Sequence, residues 1–200
     1  MRTDLEPKMK YRFLPLVLLA GVALLGIPAC STNTQGDDAS PVFLVVNFDQ
    51  LPAGKNVADG TPLQIDTATV RSVLKNPTAD STQFLDTKVD DYVVSWQRLD
   101  GGTAVPKPEV FGGNFVVGAG GTSNLTNYIF MTAGALQEPP LNQLFPFNGG
   151  LDRETGKSEI RCRAIVTFRG HTLGGQPVTG SGNFGMIFYY ATPGAVRGGK

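Results

Sequence analysis

The clearest periodic pattern in the chain lies between residues 160 and 190. From Ile160 to Arg169, apolar and polar residues alternate, which is the period of a β-strand with one buried face. The predicted buried side holds Ile160, Cys162, Ala164, Val166 and Phe168, and the other side includes Arg161, Arg163, Thr167 and Arg169. A Gly-rich connection leads to a second predicted strand, Val178 to Tyr190. Together they predict a β-hairpin with one core face and one basic or polar face.

Five further segments have the composition of strands, because they are rich in β-branched and aromatic residues and lie between clusters of Gly, Pro, Asn and Asp. These segments are 42–48, 63–74 (one long or two short strands), 90–98, 109–117 and 127–133. In 90–98, alternation places Tyr92, Val94 and Trp96 on one face, whereas 134–157 is predicted to be mostly loop. No helical period follows residue 41. About seven strands therefore predict one all-β domain, a single antiparallel β-sandwich, over residues 42–192.

The N-terminal segment is organised like an export signal. Four basic residues precede an apolar run from Phe13 to Ile27, which makes roughly 22 Å of helix and is too short for a ~30 Å hydrocarbon core. The sequence Ile27-Pro28-Ala29-Cys30 then resembles a bacterial lipobox, in which the cysteine receives a diacylglycerol. We therefore predict a lipoprotein signal peptide over 1–29, a lipidated Cys30 with a flexible tether over 30–41, and a C-terminal tail over 193–200.

Alternatives to this interpretation stay open. The segment could be a plain signal peptide with an incidental Cys30, or an uncleaved anchor, although the polar run 31–40 disfavours both. Translation starts at either Met1 or Met9, since a start at Met9 places two basic residues directly before the apolar run, as in a typical signal peptide. Ser31 resembles the sorting pattern of outer-membrane lipoproteins. The predicted location is the bacterial cell envelope, membrane-anchored, and the outer membrane if the cell is Gram-negative.

A family resemblance rests on strand and turn patterns in the second half of the chain. The stretches that carry it are Tyr92-Val-Val-Ser-Trp-Gln-Arg-Leu-Asp-Gly101, Leu136-Gln-Glu-Pro-Pro-Leu141, Ala164-Ile-Val-Thr-Phe-Arg-Gly170 and Leu173-Gly-Gly-Gln-Pro-Val178. On these, residues 91–192 resemble an uncharacterised family of bacterial lipoproteins and secreted proteins with an immunoglobulin-like (Ig-like) β-sandwich. Trp96 is similar to the buried Trp of such sandwiches, although their partner cysteines are absent. The resemblance implies a fold and a location, but no activity and no catalytic residues.

Composition and charge exclude several classes of function. The chain has 17 basic and 17 acidic residues, and removal of residues 1–29 takes away four basic and two acidic ones, leaving a net charge of −2. A nucleic-acid partner is therefore not expected. A single His excludes sites that need two or more imidazoles, such as HExxH zinc centres. We predict no cofactor and no metal.

Arg161, Arg163, Arg169 and Tyr189 form the candidate binding surface. The three arginines lie on the predicted outward side of one strand, where an acidic polymer or partner could meet them, although a solvated sheet face is more common. Tyr189 belongs to the outward side of the last strand, which could stack on sugars, contact a partner, or form a second inner face. Cys162 is predicted to be a buried thiol, with a crosslink between two chains as the less favoured alternative.

The other polar candidates have local interpretations. His171 is predicted to be a solvated histidine in a Gly-flanked turn. The acidic groups Asp86/Asp90/Asp91 and Asp152/Glu154 are predicted to help the chain turn and stay soluble, because neither has the order of a Ca²⁺-binding EF-hand loop. Residues 118–121 are predicted to be a flexible loop.

These observations predict a lipid-anchored envelope protein that is not an enzyme and serves as a structural or protein-binding module. Its expected partners are the membrane, through the N-terminal lipid, and an envelope protein or a glycan. The alternative function is a carbohydrate-binding module at the cell surface. A hydrolase with Asp/Glu chemistry ranks third, since it needs two carboxyl groups in one cleft.

Overall fold

The computed structural model describes residues 40–192, and this part of the chain is mostly β. The prediction of an all-β protein is confirmed. The predicted signal peptide, Cys30, the predicted tether up to residue 39 and the predicted C-terminal tail lie outside the described residues. The described part contains eight strands: β1 Val42–Gln50, β2 Lys55–Asn56, β3 Leu63–Leu74, β4 Thr87–Arg98, β5 Glu109–Val117, β6 Thr122–Met131, β7 Glu159–Thr172 and β8 Pro177–Tyr189.

The strands form two sheets. The first has three strands in the order β1-β3-β6, and the second has five in the order β2-β8-β7-β4-β5. All pairings are antiparallel except that of β2, which runs parallel to β8. The predicted hairpin is present as β7 and β8, joined by a turn at 173–176.

Several predicted boundaries move. Residues 63–74 form one long strand, and β5 has the predicted bounds, but β6 begins at Thr122 rather than Asn127. The cause is the segment 118–121, which is a tight turn and not a flexible loop. The Gly121 N–H donates to the Gly118 carbonyl at 2.8 Å, and Gly120 adopts a φ of +73° that favours glycine. The turn carries the chain from one sheet to the other.

The core lies between the inner faces of the two sheets. Tyr92, Val94 and Trp96 are buried, as the alternation on β4 predicts. The buried side of β7 is also as predicted, because every one of its inward residues from Ile160 to Phe168 is fully buried. Phe130 of the smaller sheet contacts the ring of Tyr92 at a centroid distance of 5.8 Å. Aromatic packing therefore joins the two sheets.

Two glycines of β8 let the sheets approach at one side. Gly180 and Gly182 face inward, and β1 crosses directly over them. A Cβ on Gly180 would collide with the side chain and backbone of Leu44, and a Cβ on Gly182 would lie 2.8 Å from the Phe48 ring. No side chain fits at either position.

The domain has two distinct ends. β1 begins at the end where β3 terminates, since Val42 is the partner of Leu74, and β7 meets β8 at the same end through His171 and Pro177. We call this the entry end; its connections are 75–86, 118–121 and 173–176. We call the opposite end the loop end. It carries the long connections 51–62, 99–108 and 132–158.

Candidate functional site

The predicted arginine surface lies on the outer face of the five-stranded sheet, but two of its three guanidinium groups are engaged. Arg161 Nη2 lies 2.7 Å from Glu159 Oε1, and Arg169 Nε lies 2.6 Å from Asp91 Oδ1. Arg163 is exposed and makes no ion pair with any residue between 40 and 192. The stripe is therefore close to neutral rather than strongly basic.

An irregularity in β4 explains where the carboxylates on this face come from. The pairing of β4 shifts between Val89 and Asp91, so Asp90 is an extra residue. Such a bulge lets two consecutive side chains point to one face. Asp91 therefore reaches Arg169, and Asp90 Oδ2 lies 2.8 Å from His171 Nδ1.

His171 and the first acidic group thus differ from the sequence prediction. His171 is part of β7 rather than of a turn, although its side chain is about 41% exposed. Asp86 does not group with Asp90 and Asp91, because its Oδ1 accepts the N–H of Ala119 at 2.9 Å. Among the described residues, no group of three His, Cys, Asp or Glu side chains could hold a metal ion.

Tyr189 lies on the outer face but is only partly accessible. It pairs with Glu159 in the sheet and is half-buried. The segment before β2 passes over it, because a Cβ built on Gly54 would lie 3.1 Å from the Tyr189 ring and 2.8 Å from the Ile187 carbonyl oxygen. Little of this ring is open to a sugar or a partner.

A buried ion cluster, not predicted from the sequence, lies at the loop end. We call it the Arg98 cluster; it consists of Arg98, Asp100 and Asp152, whose side chains are 2%, 1% and 0% exposed. Arg98 Nε donates to Asp100 Oδ1 at 2.7 Å, and Nη2 donates to Asp100 Oδ2 at 3.0 Å and to Asp152 Oδ2 at 2.7 Å. One guanidinium therefore joins the end of β4 to a residue 54 positions later in the chain.

The cluster holds its carboxylates ionised. Burial by itself raises the pKa of Asp100, but the hydrogen bonds from Arg98 and from the backbone N–H groups of Arg161 and Gly102 outweigh it and lower the pKa to about 2. For Asp152, burial also raises the pKa, and hydrogen bonds from Arg98 and Thr155 lower it below its ordinary value. Burial lowers the pKa of Arg98, and its two carboxylate partners raise it further than burial lowers it. Groups that stay charged and buried suit a structural role better than proton transfer.

Glu154 extends the cluster toward solvent. Its Oε2 accepts the N–H groups of Thr103 and Ala104 at 2.6 and 3.0 Å, and its Oε1 accepts the Thr103 hydroxyl at 2.6 Å. Arg98 Nη1 adds a bond to the Ala104 carbonyl at 3.0 Å. Asp152 helps the chain turn as predicted, since its Oδ2 accepts the Thr155 N–H at 3.0 Å, but Asp152 and Glu154 also fasten loop 132–158 to loop 99–108, which the sequence did not predict.

The signal for the cluster is present in the sequence. The alternation that puts Tyr92, Val94 and Trp96 inside puts Arg98 inside as well, and a buried charge needs a buried partner. Cys162, the sheet partner of Arg98, is fully buried as predicted. Burial raises the pKa of its thiol to about 12, so the thiol stays protonated and is a poor nucleophile.

The loop end also exposes apolar side chains. Phe147 is 80% exposed, its ring centroid lies 5.2 Å from that of Phe145, and Phe145 contacts the Tyr190 ring at 5.7 Å. The large hydrophobic side chains exposed in the three loops of this end are Leu51, Leu99, Val105, Phe147 and Leu151. Exposed large hydrophobic side chains thus lie on all three loops of this end, two of which are joined by the Arg98 cluster.

Comparison with known proteins assigns neither a family nor a function to the chain. No family model matches the chain, and a search of curated proteins returns no match. The family resemblance of residues 91–192 stays a prediction. Within residues 40–192, no helix has the length and the hydrophobicity to span a lipid bilayer.

Proposed function

We propose that this protein is a lipid-anchored, non-catalytic binding module of the bacterial cell envelope, built on an Ig-like β-sandwich and held in the membrane through acylated Cys30. In a Gram-negative cell its membrane is the outer membrane. The domain presents its loop end to an envelope protein. Arg163 on the outer face adds a polar contact beside that end.

One observation carries the proposal: the chain enters the domain at the end opposite its long loops. Val42 starts at the entry end, whereas loops 51–62, 99–108 and 132–158 lie at the loop end with five exposed large hydrophobic side chains. Binding residues are commonly carried on loops that a rigid scaffold positions. An anchor on the N-terminal side of the domain leaves these loops available.

Metabolic labelling with palmitate tests the anchor. The wild-type protein is expected to incorporate label and to sediment with membranes, and Cys30→Ser is expected to do neither. Equal labelling of the two forms, or label in neither, would contradict the lipid anchor.

Crosslinking in the native envelope tests the binding end. Phe147→Ser is expected to reduce recovery of the main crosslinked envelope protein. The matched control is Val116→Ser, which removes an exposed apolar side chain from the outer face of β5, far from the loops. Equal recovery with both variants would show that the loop end is not the binding surface.

A specific observation favours a second function, carbohydrate binding. The ring of Phe147 is open to solvent and is supported from below by Phe145, as expected of a platform on which a sugar ring stacks. A glycan array probed with the purified protein tests this function. Binding that Phe147→Ser abolishes and Val116→Ser preserves would support it, and an array without binding would reject it.

A further inference from the structure

The entry end exposes two large hydrophobic side chains on neighbouring connections. Phe84 is 71% exposed and Leu173 is 51% exposed. Backbone hydrogen bonds hold the two segments side by side, because the Gly174 N–H donates to the Phe84 carbonyl and the Leu173 N–H donates to the Asp86 carbonyl, both at 2.8 Å. The pair therefore forms one small apolar surface.

This surface is held in place rather than carried on a loose loop. Residues 83–85 form a 3₁₀ turn, and the side chain of Asp86 accepts the Ala119 N–H at 2.9 Å. The turn that follows Leu173 is closed by a bond from the Gly175 N–H to the Thr172 carbonyl at 2.7 Å. Folding does not require large hydrophobic side chains at these positions, since an exposed side chain contributes little burial.

The chain enters the domain at the same end. The Lys75 N–H donates to the Pro41 carbonyl at 2.9 Å, which fixes the start of β1 beside connection 75–86. Ser40 lies ten positions after Cys30, and a chain of that length spans at most about 36 Å even when fully extended. The fourteen residues of β7 alone span about 45 Å. A lipid on Cys30 thus prevents the domain from standing with its loop end on the bilayer, because the entry end would then lie about 45 Å from the membrane, beyond the reach of the tether.

We propose that the entry end is a membrane foot, in which Phe84 and Leu173 insert into the boundary between the headgroups and the acyl chains of the bilayer that holds Cys30. This inference rests on the proposed lipid anchor and adds a second contact between the protein and the membrane. The partner is a lipid surface, and the contact fixes the domain upright with its loop end toward solvent.

The charges near the foot indicate an apolar contact. The three connections of this end carry one basic residue, Lys75, and two acidic ones, Asp80 and Asp86, so they contain no polybasic segment that would prefer anionic headgroups. Side chains of this kind bury to a depth of about 5–10 Å in the interface. The contact is therefore expected to persist at high salt, unlike that of a polybasic segment.

A fluorescent reporter on the mature lipidated protein, reconstituted into phosphatidylethanolamine/phosphatidylglycerol vesicles, tests the foot. Phe84→Cys and Leu173→Cys each supply one reactive thiol for an environment-sensitive maleimide dye, because Cys162 is fully buried. The matched control is Phe147→Cys at the loop end, where the native side chain is even more exposed. On vesicle binding, dye at 84 and at 173 is expected to brighten, shift to the blue and be quenched by nitroxide lipids. Dye at 147 is expected to stay unchanged.

The outcomes separate this inference from the anchor. If all three labelled positions remain in water while the protein stays on the vesicles, the membrane foot is wrong and the anchor stands. If the position at 147 responds as strongly as 84 and 173, the domain lies on its side and the foot is again wrong. If the wild-type protein itself takes up dye, Cys30 is a free thiol, and both the anchor and the foot that rests on it fail. Two reporter positions keep the test usable should one variant not fold.

Discussion

The Arg98 cluster and the ion pairs of the outer face use the same chemical groups at nearly the same distances. Arg98 lies 2.7 Å from its carboxylate partners, and Arg161 lies 2.7 Å from Glu159. They differ in exposure: the Arg98 side chain is 2% exposed and that of Arg161 is 56% exposed. Equal distances between charges therefore do not mean equal contributions to stability.

Solvent makes the difference. Water and dissolved ions screen an exposed pair, and holding two long side chains in place costs conformational entropy, so such pairs contribute little. Inside the protein, attraction is stronger but desolvation is costly, so removing one partner leaves a charge that neither water nor protein compensates. The Arg98 cluster is therefore expected to be sensitive to substitution, and the outer face tolerant of it.

The largest effect is expected for Arg98→Ala. It leaves the carboxylates of Asp100 and Asp152 buried without their guanidinium, and it should lower the free energy of unfolding by about 3–5 kcal/mol. Urea unfolding at pH 7 measures this value. Arg163→Ala, which removes an exposed guanidinium from the outer face, is the control and should change stability by less than about 0.5 kcal/mol. Equal losses of unfolding free energy in both variants would contradict the claim that the buried cluster contributes more to stability than the exposed arginines.

The second largest effect is expected from acid, which should weaken the Arg98 cluster. The pKa of Asp100 is about 2 in the folded protein against an ordinary 3.8, so its contribution to stability is complete above about pH 5 and is lost as the pH falls toward 2. The loss amounts to roughly 2 kcal/mol. Urea unfolding at a series of pH values checks it. Asp100→Asn should lack this part of the acid dependence, and an unchanged dependence would show that other carboxylates carry it.

A smaller, local effect is expected for Glu154→Ala. Its carboxylate accepts the backbone N–H groups of Thr103 and Ala104, which therefore lose their partner. Hydrogen exchange of these two amides should accelerate, while amides in the centre of β7 stay protected. Exchange that accelerates throughout the sheet instead would mean that Glu154 supports the whole fold and not one loop.

The smallest effect is expected for Arg161→Ala. The variant removes the exposed pair with Glu159 but keeps the backbone N–H that Asp100 accepts at 2.8 Å. Its unfolding free energy should fall by no more than about 1 kcal/mol. A loss that matches that of Arg98→Ala would show that exposure is not what separates the two regions.

The sequence predicted the fold best where a regular period runs through a strand. The alternation on β4 and β7 assigned the buried positions correctly, from Tyr92 to Trp96 and from Ile160 to Phe168. β2 was missed because two residues, Lys55 and Asn56, cannot show a period. The bulge at Asp90 was missed because the predicted strand began there, although Asp90 and Asp91 interrupt the alternation between Val89 and Tyr92.

The site was predictable only in part, for a physical reason. Arg98 sits on the inward period of β4, and that position alone indicated a buried charge. Its partner Asp152 lies in a long loop, and contacts of this kind depend on how the loop folds back over the domain. The arginine stripe was found by pattern, but the bulge that supplies Asp91 to Arg169 was not. The period of a strand thus predicts which side chains are buried and which are exposed. The partners that these side chains find on other strands and in loops can be read only from the tertiary structure.

The inward glycines of β8 have a consequence for how this chain can vary. Gly185 belongs to the same strand but faces outward, and a Cβ there meets no atom within 4 Å, whereas a Cβ on Gly180 or Gly182 would collide with β1. A library of single substitutions should accept many residues at Gly185 and almost none at Gly180 or Gly182. The boundary between variable and fixed positions would then trace the line along which β1 crosses β8.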